Sequence, residues 1–169
     1  MTTTLRRLGI AVTGGALCVL TTVGTAATAG AAPGTAGLSP VLATSYGFAD
    51  RAARAQGIPL HITSGRRSVA EQDRLWRSAI ATHGSAREAR RWALPPREST
   101  HVTGQAVDIG PRRGATWLAA TGYRWGLCRT FANEWWHFEV VTVPGIACPP
   151  MWPDAAARAD RAPRGLPIG

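Results

Sequence analysis

The sequence lacks several features that would assign it to common classes of protein. It has no lysine, and its 19 basic residues are arginines scattered along the chain. A nucleic-acid-binding protein would present a basic stripe with interleaved aromatic residues, so we expect no nucleic-acid partner. There is no internal repeat, which argues against a repeat architecture. There is also no GxSxG or SxxK motif, so nothing indicates a serine nucleophile.

The N-terminal residues, 1–31, have the order of regions found in a secretory signal peptide. A pair of arginines precedes an apolar run at 8–23, and small residues follow, with cleavage expected after Ala29 or Ala31. The run is short and interrupted by Gly and Thr, which disfavours the alternative of a membrane-spanning anchor. The arginine pair leaves the twin-arginine export route open. We therefore expect a secreted protein with no stable membrane span after cleavage.

Cysteine is scarce, with three residues and no CxxC pair. Cys18 lies in the predicted signal peptide and would leave with it. Cys128 and Cys148 remain, an even number in the oxidising compartment that export implies, so we predict a disulfide between them. The alternative, two cysteines as zinc ligands, is disfavoured by the absence of a CxxC pair.

The positive charge suggests a location rather than a chemistry. The formal net charge is +9, and loss of the two arginines of the signal peptide would leave about +7. A basic secreted protein can approach anionic cell-wall polymers or membrane surfaces by electrostatic attraction. We therefore expect an extracytoplasmic, cell-wall-associated protein. We also expect a monomer, although the charge does not bear on this.

Composition divides the rest of the chain into three parts. Residues 32–38 are small and predict a flexible lead-in, and 39–148 are enough for one domain with one hydrophobic core. Residues 149–169 contain five prolines and many small residues, which predicts a disordered or loosely attached tail.

The domain is predicted to mix helices with short strands. Helices are predicted at 40–56 and 68–83, shorter helical stretches at 86–92 and 116–120, and strands at 58–63, 105–109 and 135–143. The strands follow helices without a regular βαβ rhythm. This favours an α+β fold in which helices flank a small antiparallel sheet.

Three side chains are candidate metal ligands: His101, Asp108 and His137. Zinc accepts imidazole and carboxylate groups, and its catalytic sites use three protein ligands and keep one position open. Gly104 permits a tight backbone path between His101 and Asp108. Asp108 lies in the apolar stretch AVDIG, where a carboxylate costs free energy unless it is paired or bound to a metal. Taken singly, each of these residues could instead be structural.

Glu134, three residues before His137, is the candidate general base. A zinc peptidase needs a carboxylate that takes a proton from the attacking water and passes it to the leaving amine. In a regular strand Trp135, His137 and Glu139 would share one face and Glu134 would lie on the other. The chain must therefore bend near Glu134, or Glu134 must belong to the preceding turn.

Three motifs occur in order along the chain. Residues 64–72 match SGxRSxxxQ, residues 99–108 match SxHxxGxAxD, and residues 134–137 match ExWH. Together they resemble the D-alanyl-D-alanine carboxypeptidase family of zinc peptidases, which includes the vancomycin-resistance D,D-carboxypeptidases and D,D-dipeptidases. That family shares its fold with the zinc domain of hedgehog proteins. The motifs cover most of the predicted domain.

The resemblance implies one Zn²⁺ per chain on His101, Asp108 and His137, with Glu134 as the catalytic base. It also implies that Arg67 binds the substrate or stabilises the oxyanion, since a guanidinium can hold either group through two hydrogen bonds.

The neighbouring Arg66 is the alternative to Arg67. Ser99, Gln72 and Trp136 are further candidates for substrate binding. Their alternatives are a turn serine, a polar helix residue and a core tryptophan.

The resemblance further implies the substrate class, which is peptidoglycan stem peptides ending in D-Ala-D-Ala, with release of the terminal D-alanine. An endopeptidase that cuts within the stem or cross-bridge, and a D,D-dipeptidase, are the alternatives within the enzyme class. Outside that class, the alternative is a catalytically silent zinc module that binds cell-wall peptides.

Overall fold

A computed structural model describes residues 32–161, and the predicted signal peptide at 1–31 lies outside the described residues, as do 162–169. The helices are α1 (Pro40–Ala55), α2 (Val69–His83), α3 (Ala86–Ala89), α4 (Arg112–Thr121) and α5 (Ala155–Arg161), with a 3-10 turn at Gly122–Trp125. The strands are β1 (His61–Ser64), β2 (Ala106–Gly110), β3 (Leu127–Arg129) and β4 (His137–Val140). Within residues 32–161 no helix combines the length and the apolar character needed to cross a bilayer.

The four strands form one antiparallel sheet in the order β1-β2-β4-β3. With helices packed around it, the sheet confirms the predicted α+β fold. In the central pair, Val107 lies opposite Phe138 and Asp108 lies opposite His137. Because successive side chains of a strand point to opposite faces, this register gives the sheet one apolar face and one polar face.

The apolar face is covered by α1 and α4. Helix α1 begins at Pro40, and the Ser39 hydroxyl caps it by accepting a hydrogen bond from the N–H of Leu42. Its buried side chains recur at helical spacing and pack against the strands. The main core consists of Leu42, Tyr46, Ala49, Ala53, Val107, Ile109, Ala115, Leu118, Leu127 and Phe138, with Leu38 and Leu60 at its margin. The opposite face of β2 and β4 is therefore left to polar side chains.

The segment at 32–38 is not a flexible lead-in but a packed one. Leu38 joins the core, and the Ser39 N–H donates to the Gly104 carbonyl oxygen at 2.9 Å. Gly104 has φ +70°, and a Cβ there would lie 2.5 Å from the Gly37 carbonyl oxygen. This confirms that the turn between His101 and Asp108 needs a glycine. Glycine is needed there because the backbone is left-handed and because the segment at 32–38 approaches closely.

Residues 149–161 are also packed, which corrects, for these residues, the prediction of a disordered or loosely attached tail at 149–169. Within its described part, Ala155 is buried against Phe131, and the Trp152 N–H donates to the Thr130 carbonyl oxygen at 3.0 Å. Proline-rich composition predicted disorder, but backbone hydrogen bonds to the β3 side of the sheet and a small apolar contact hold the segment in place.

Most predicted elements are present with shifted ends. The strand predicted at 135–143 is shorter, because Trp135 and Trp136 form a turn and β4 begins at His137. The helical stretch predicted at 116–120 is part of the longer α4. Strand β3 was missed, since three residues are too few for alternation to show.

The structure contains the predicted disulfide between Cys128 and Cys148. It links β3 to the start of the C-terminal segment across a sequence separation of 20 residues. We predict that the double variant Cys128→Ala/Cys148→Ala loses about 3 kcal/mol of unfolding free energy, because its unfolded chain is no longer cross-linked. Urea unfolding followed by circular dichroism measures this difference. Reductant should destabilise the wild type and leave the variant unchanged; equal stability of the two proteins would contradict the prediction.

Candidate metal centre

The candidate ligands meet on the polar face of the sheet. Asp108 on β2 and His137 on β4 are direct partners in the register, so their side chains lie side by side. His101 comes from the turn that precedes β2. The three donor atoms, His101 Nε2, Asp108 Oδ1 and His137 Nδ1, are 3.3 to 3.5 Å apart. All three residues are buried.

This spacing suits zinc. A tetrahedral Zn²⁺ with bonds of about 2.0–2.1 Å places its ligand atoms about 3.3–3.4 Å apart. Asp108 Oδ1 is buried and receives no well-directed hydrogen bond from the described residues. A buried carboxylate oxygen without a partner is costly. A cation held by the three donors would satisfy it, so the residues fit a zinc ion.

Hydrogen bonds orient both imidazoles toward that point. His101 Nδ1 lies 2.8 Å from the Gly65 carbonyl oxygen, and His137 Nε2 lies 2.8 Å from Glu139 Oε1. A carbonyl or carboxylate oxygen only accepts, so these ring nitrogens carry the hydrogens. The lone pairs then lie on His101 Nε2 and His137 Nδ1, the two atoms that face each other across the site.

Arg67 is held beside the ligands by three side chains. Its Nε donates to Ser64 Oγ at 2.9 Å, its Nη1 to Gln72 Oε1 at 3.3 Å and its Nη2 to Asp108 Oδ2 at 2.5 Å. The contact to Oδ2 leaves Oδ1 of Asp108 available to a metal ion. Arg67 also lines the cavity next to the site, whereas Arg66 is exposed. The structure thus brings Arg67 rather than Arg66 to the ligands.

Glu134 lies in the turn before β4, which settles how it reaches the same side as His137. Its Oε2 is 3.5 Å from His137 Nδ1, and its side chain is buried. Burial raises the pKa of Glu134 to about 7, with a further rise from the nearby charge of Asp108 and an opposing effect from His137. A carboxylate that titrates near neutral pH suits a group that takes up and returns a proton.

The ligand pKa values show how the cluster shares charge. Burial alone would raise the pKa of Asp108, but its contacts with His101 and His137 lower it well below its usual range. Burial opposes the charged form of His137, yet Asp108 and Glu139 together raise its pKa to about 9. A proton on His137 must leave before Nδ1 can bind a metal. Without metal, the cluster therefore attracts a proton to the position that a cation would occupy.

A cavity of about 350 Å³ opens beside the three ligands. The predicted substrate-binding residues Ser99, Gln72 and Trp136 all line it, as do Glu134 and Arg67. The sequence motifs therefore mark one continuous site.

Gln72 has a defined structural task within this lining. It is 2% exposed, and besides accepting from Arg67 it donates from Nε2 to the Leu94 carbonyl oxygen at 2.8 Å. These contacts indicate that Gln72 serves to orient the Arg67 side chain rather than to contact a substrate.

The sequence did not predict three further residues of the site: Glu139, Thr100 and Arg158. Glu139 Oε1 accepts hydrogen bonds from Thr100 Oγ1 at 3.0 Å and Arg158 Nη1 at 2.7 Å, in addition to its contact with His137. The alternation along β4 placed Glu139 on the face of His137, which was the available signal. Arg158 belongs to the segment predicted to be disordered, so no signal pointed to it.

A buried His-Asp-His set with an adjacent carboxylate, beside a cavity on a small antiparallel sheet, is the arrangement of a zinc peptidase. A family model described as VanY, D-alanyl-D-alanine carboxypeptidase, matches residues 37–142. The chain belongs to this family and is a zinc peptidase, which confirms the resemblance that the motifs carried. No protein of curated function matches the chain significantly.

Solved structures share the fold at low sequence identity. A vancomycin-resistance D,D-pentapeptidase VanY from a VanB-type resistance cassette, in complex with Zn(II), has 24% identity and a TM-score of 0.57 over 62% of this chain and 73% of that one. VanYB in complex with D-alanine-D-alanine has 24% identity and a TM-score of 0.56 over 60% and 70%. The LD-carboxypeptidase LdcB has 23% identity and a TM-score of 0.53 over 60% and 58%.

We predict that Gln72→Ala destabilises the metal-free protein by about 1–3 kcal/mol. The substitution leaves the buried Leu94 carbonyl oxygen and one N–H of Arg67 without a partner. Gln105→Ala is the matched control, because Gln105 is exposed and such changes usually stay within about 0.5 kcal/mol. Urea unfolding of both variants measures the difference. Equal stability would show that Gln72 does not brace the site.

Proposed function

We propose that the protein removes the terminal D-alanine from peptidoglycan stem peptides that end in D-Ala-D-Ala, using one Zn²⁺ per chain. The observation that carries the proposal is the set of three buried donor atoms at zinc-ligand spacing, with Glu134 next to them at the cavity wall. Membership of the family matched at residues 37–142 supports the substrate class. The complex of VanYB with D-alanine-D-alanine supports it further.

His101, Asp108 and His137 would hold the metal. Zinc at these donors supplies Lewis acidity, which polarises the scissile carbonyl and makes water a better nucleophile at neutral pH. The remaining steps belong to the protein's side chains and to the substrate.

Glu134 takes a proton from the attacking water as the new C–O bond forms. It returns that proton to the amine of D-alanine as the C–N bond breaks. Arg67 holds Asp108 in place and has further N–H groups at the cavity. These can donate to the oxyanion or to the terminal carboxylate of the substrate. Both roles use its fixed charge, which needs no proton transfer.

We also propose that the enzyme acts outside the cytoplasm. The signal-like order of residues 1–31 and the disulfide between Cys128 and Cys148 support this, since structural disulfides persist in oxidising compartments. Detection of the protein in the culture medium or cell-wall fraction, lacking the N-terminal residues, tests this location.

We predict one zinc per purified chain, removed by chelator together with activity and restored by added Zn²⁺. His137→Ala should lose most of this zinc, because it removes one of three protein ligands. His61→Ala is the control, since His61 is an exposed residue of β1. Elemental analysis by mass spectrometry gives the stoichiometry. A wild-type protein without zinc, or a His137→Ala protein with a full complement, would contradict the ligand assignment.

We predict that Glu134→Ala keeps its zinc but hydrolyses a pentapeptide stem about 10²–10⁴-fold more slowly, the usual contribution of a general base. Mass spectrometry of the products over time measures the rate. Glu71→Ala serves as control, because Glu71 is exposed on α2. Turnover of Glu134→Ala at the wild-type rate would refute the assignment of the base.

The products of the same reaction decide the bond that is cut. Loss of a single D-alanine supports the proposal. Release of the intact dipeptide, or a cut inside the stem or cross-bridge, would replace it with a D,D-dipeptidase or an endopeptidase. Absence of cleavage by a zinc-loaded protein would instead indicate a module that binds cell-wall peptides.

A further inference from the structure

Glu139 is a buried carboxylate that contacts His137 and lies outside the three family motifs. Its Oε1 faces His137 Nε2 at 2.8 Å. Thr100 and Arg158 donate to the same oxygen, and Arg158 Nη1 also lies 2.8 Å from Oε2. Arg158 thereby holds both oxygens of the Glu139 carboxylate, and Oε1 also contacts the His137 imidazole.

Arg158 reaches this carboxylate from α5, in a part of the chain beyond the residues 37–142 that match the family. Its guanidinium lies over the Phe131 ring at 4.6 Å from the centroid. The side chain is 22% exposed, at the edge of the cavity. Arg158 therefore connects α5, in the C-terminal segment, with the candidate metal centre.

The backbone before Arg158 is anchored at several points. Cys148 is bonded to Cys128, Trp152 pairs with Phe131, and Asp154 accepts from the Ala157 N–H and from Arg91 Nε. These contacts fix where α5 begins, so the guanidinium is presented to Glu139 in a defined position.

We propose that Arg158 is a positioning residue for the metal centre, which acts through Glu139 to hold His137 in its metal-binding orientation. The inference rests on zinc binding as proposed above. The terminal torsion of a glutamate is intrinsically broad, so contacts must fix the plane of the Glu139 carboxylate. Partners of this kind typically change metal affinity by about 10–100-fold when they are removed.

Charge and orientation make opposite predictions for the loss of Arg158. A positive charge near the metal repels it, so the electrostatic effect of removing Arg158 would be tighter zinc binding. Removal also frees the Glu139 carboxylate to rotate away from His137, which would weaken zinc binding. The geometry favours the second effect, because Arg158 contacts both carboxylate oxygens and the carboxylate already balances its charge.

The test is the zinc dissociation constant of the full chain, measured by competition with a chromophoric chelator. We expect Arg158→Met to bind zinc about tenfold more weakly than the wild type. Arg161→Met is the matched control, with an arginine one turn further along α5 that lies over Trp152, and we expect no change there. If Arg158→Met does not fold, Arg158→Gln takes its place, with the same expectation.

A double-mutant cycle with Glu139→Gln separates positioning from other roles. If Arg158 acts through Glu139, Arg158→Met should weaken zinc binding far less in the Glu139→Gln background than in the wild type. The absorption spectrum of the cobalt-substituted protein should shift in both single variants, since it reports the coordination geometry.

Unchanged or tighter zinc binding by Arg158→Met, or additive effects in the cycle, would overturn the inference while leaving the proposed function intact. A wild type that binds no zinc would overturn both.

Discussion

The antiparallel pairing of β2 with β4 is the constraint on which the site depends. It sets Asp108 opposite His137 and Val107 opposite Phe138. Since opposite residues of such a pair point to the same face, one register buries the core residues on one side and brings two candidate metal ligands together on the other. A slip of one residue would exchange the two faces. Core packing and metal binding therefore demand the same register, which explains how strands of four and five residues can be so well specified.

The charges around this pair are nearly balanced. Three carboxylates (Asp108, Glu134, Glu139) meet two guanidinium groups (Arg67, Arg158), so with neutral imidazoles one negative charge remains. In the metal-free protein a proton on His137 can balance it, as the raised pKa of that residue indicates. A divalent cation would replace that proton and leave the site positive by one charge. Such an excess favours the negative charge that a carbonyl group gains during hydrolysis.

The structure brings together the residues that the sequence offered as metal ligands and base, as the resemblance carried by the motifs implied. Gly104 must be glycine for the turn after His101, and Asp108 lies in an apolar strand where only a partner makes it tolerable. The side-chain hydrogen bonds between residues distant in the sequence could not be predicted from local features. The donation from Arg67 to Asp108 and that from Arg158 to Glu139 join residues 41 and 19 positions apart. Composition misled for the tail, because the pairing of Trp152 with Phe131 depends on tertiary contacts.

Helix α2, which borders the cavity, also shows what a sequence pattern cannot predict. Its apolar residues predict a helix, which is present, but the residue it buries is Gln72. Leu75 remains 41% exposed and lines the cavity with Ala79. Apolar periodicity identified the helix without showing whether its stripe faces a core or a cleft. Here the buried side chain is Gln72, which accepts a hydrogen bond from Arg67, while Leu75 and Ala79 face the cavity. Leu75 and Ala79 form one part of the cavity wall and Ala155 and Arg158 of α5 form another, so part of the cavity lining comes from outside the three motifs.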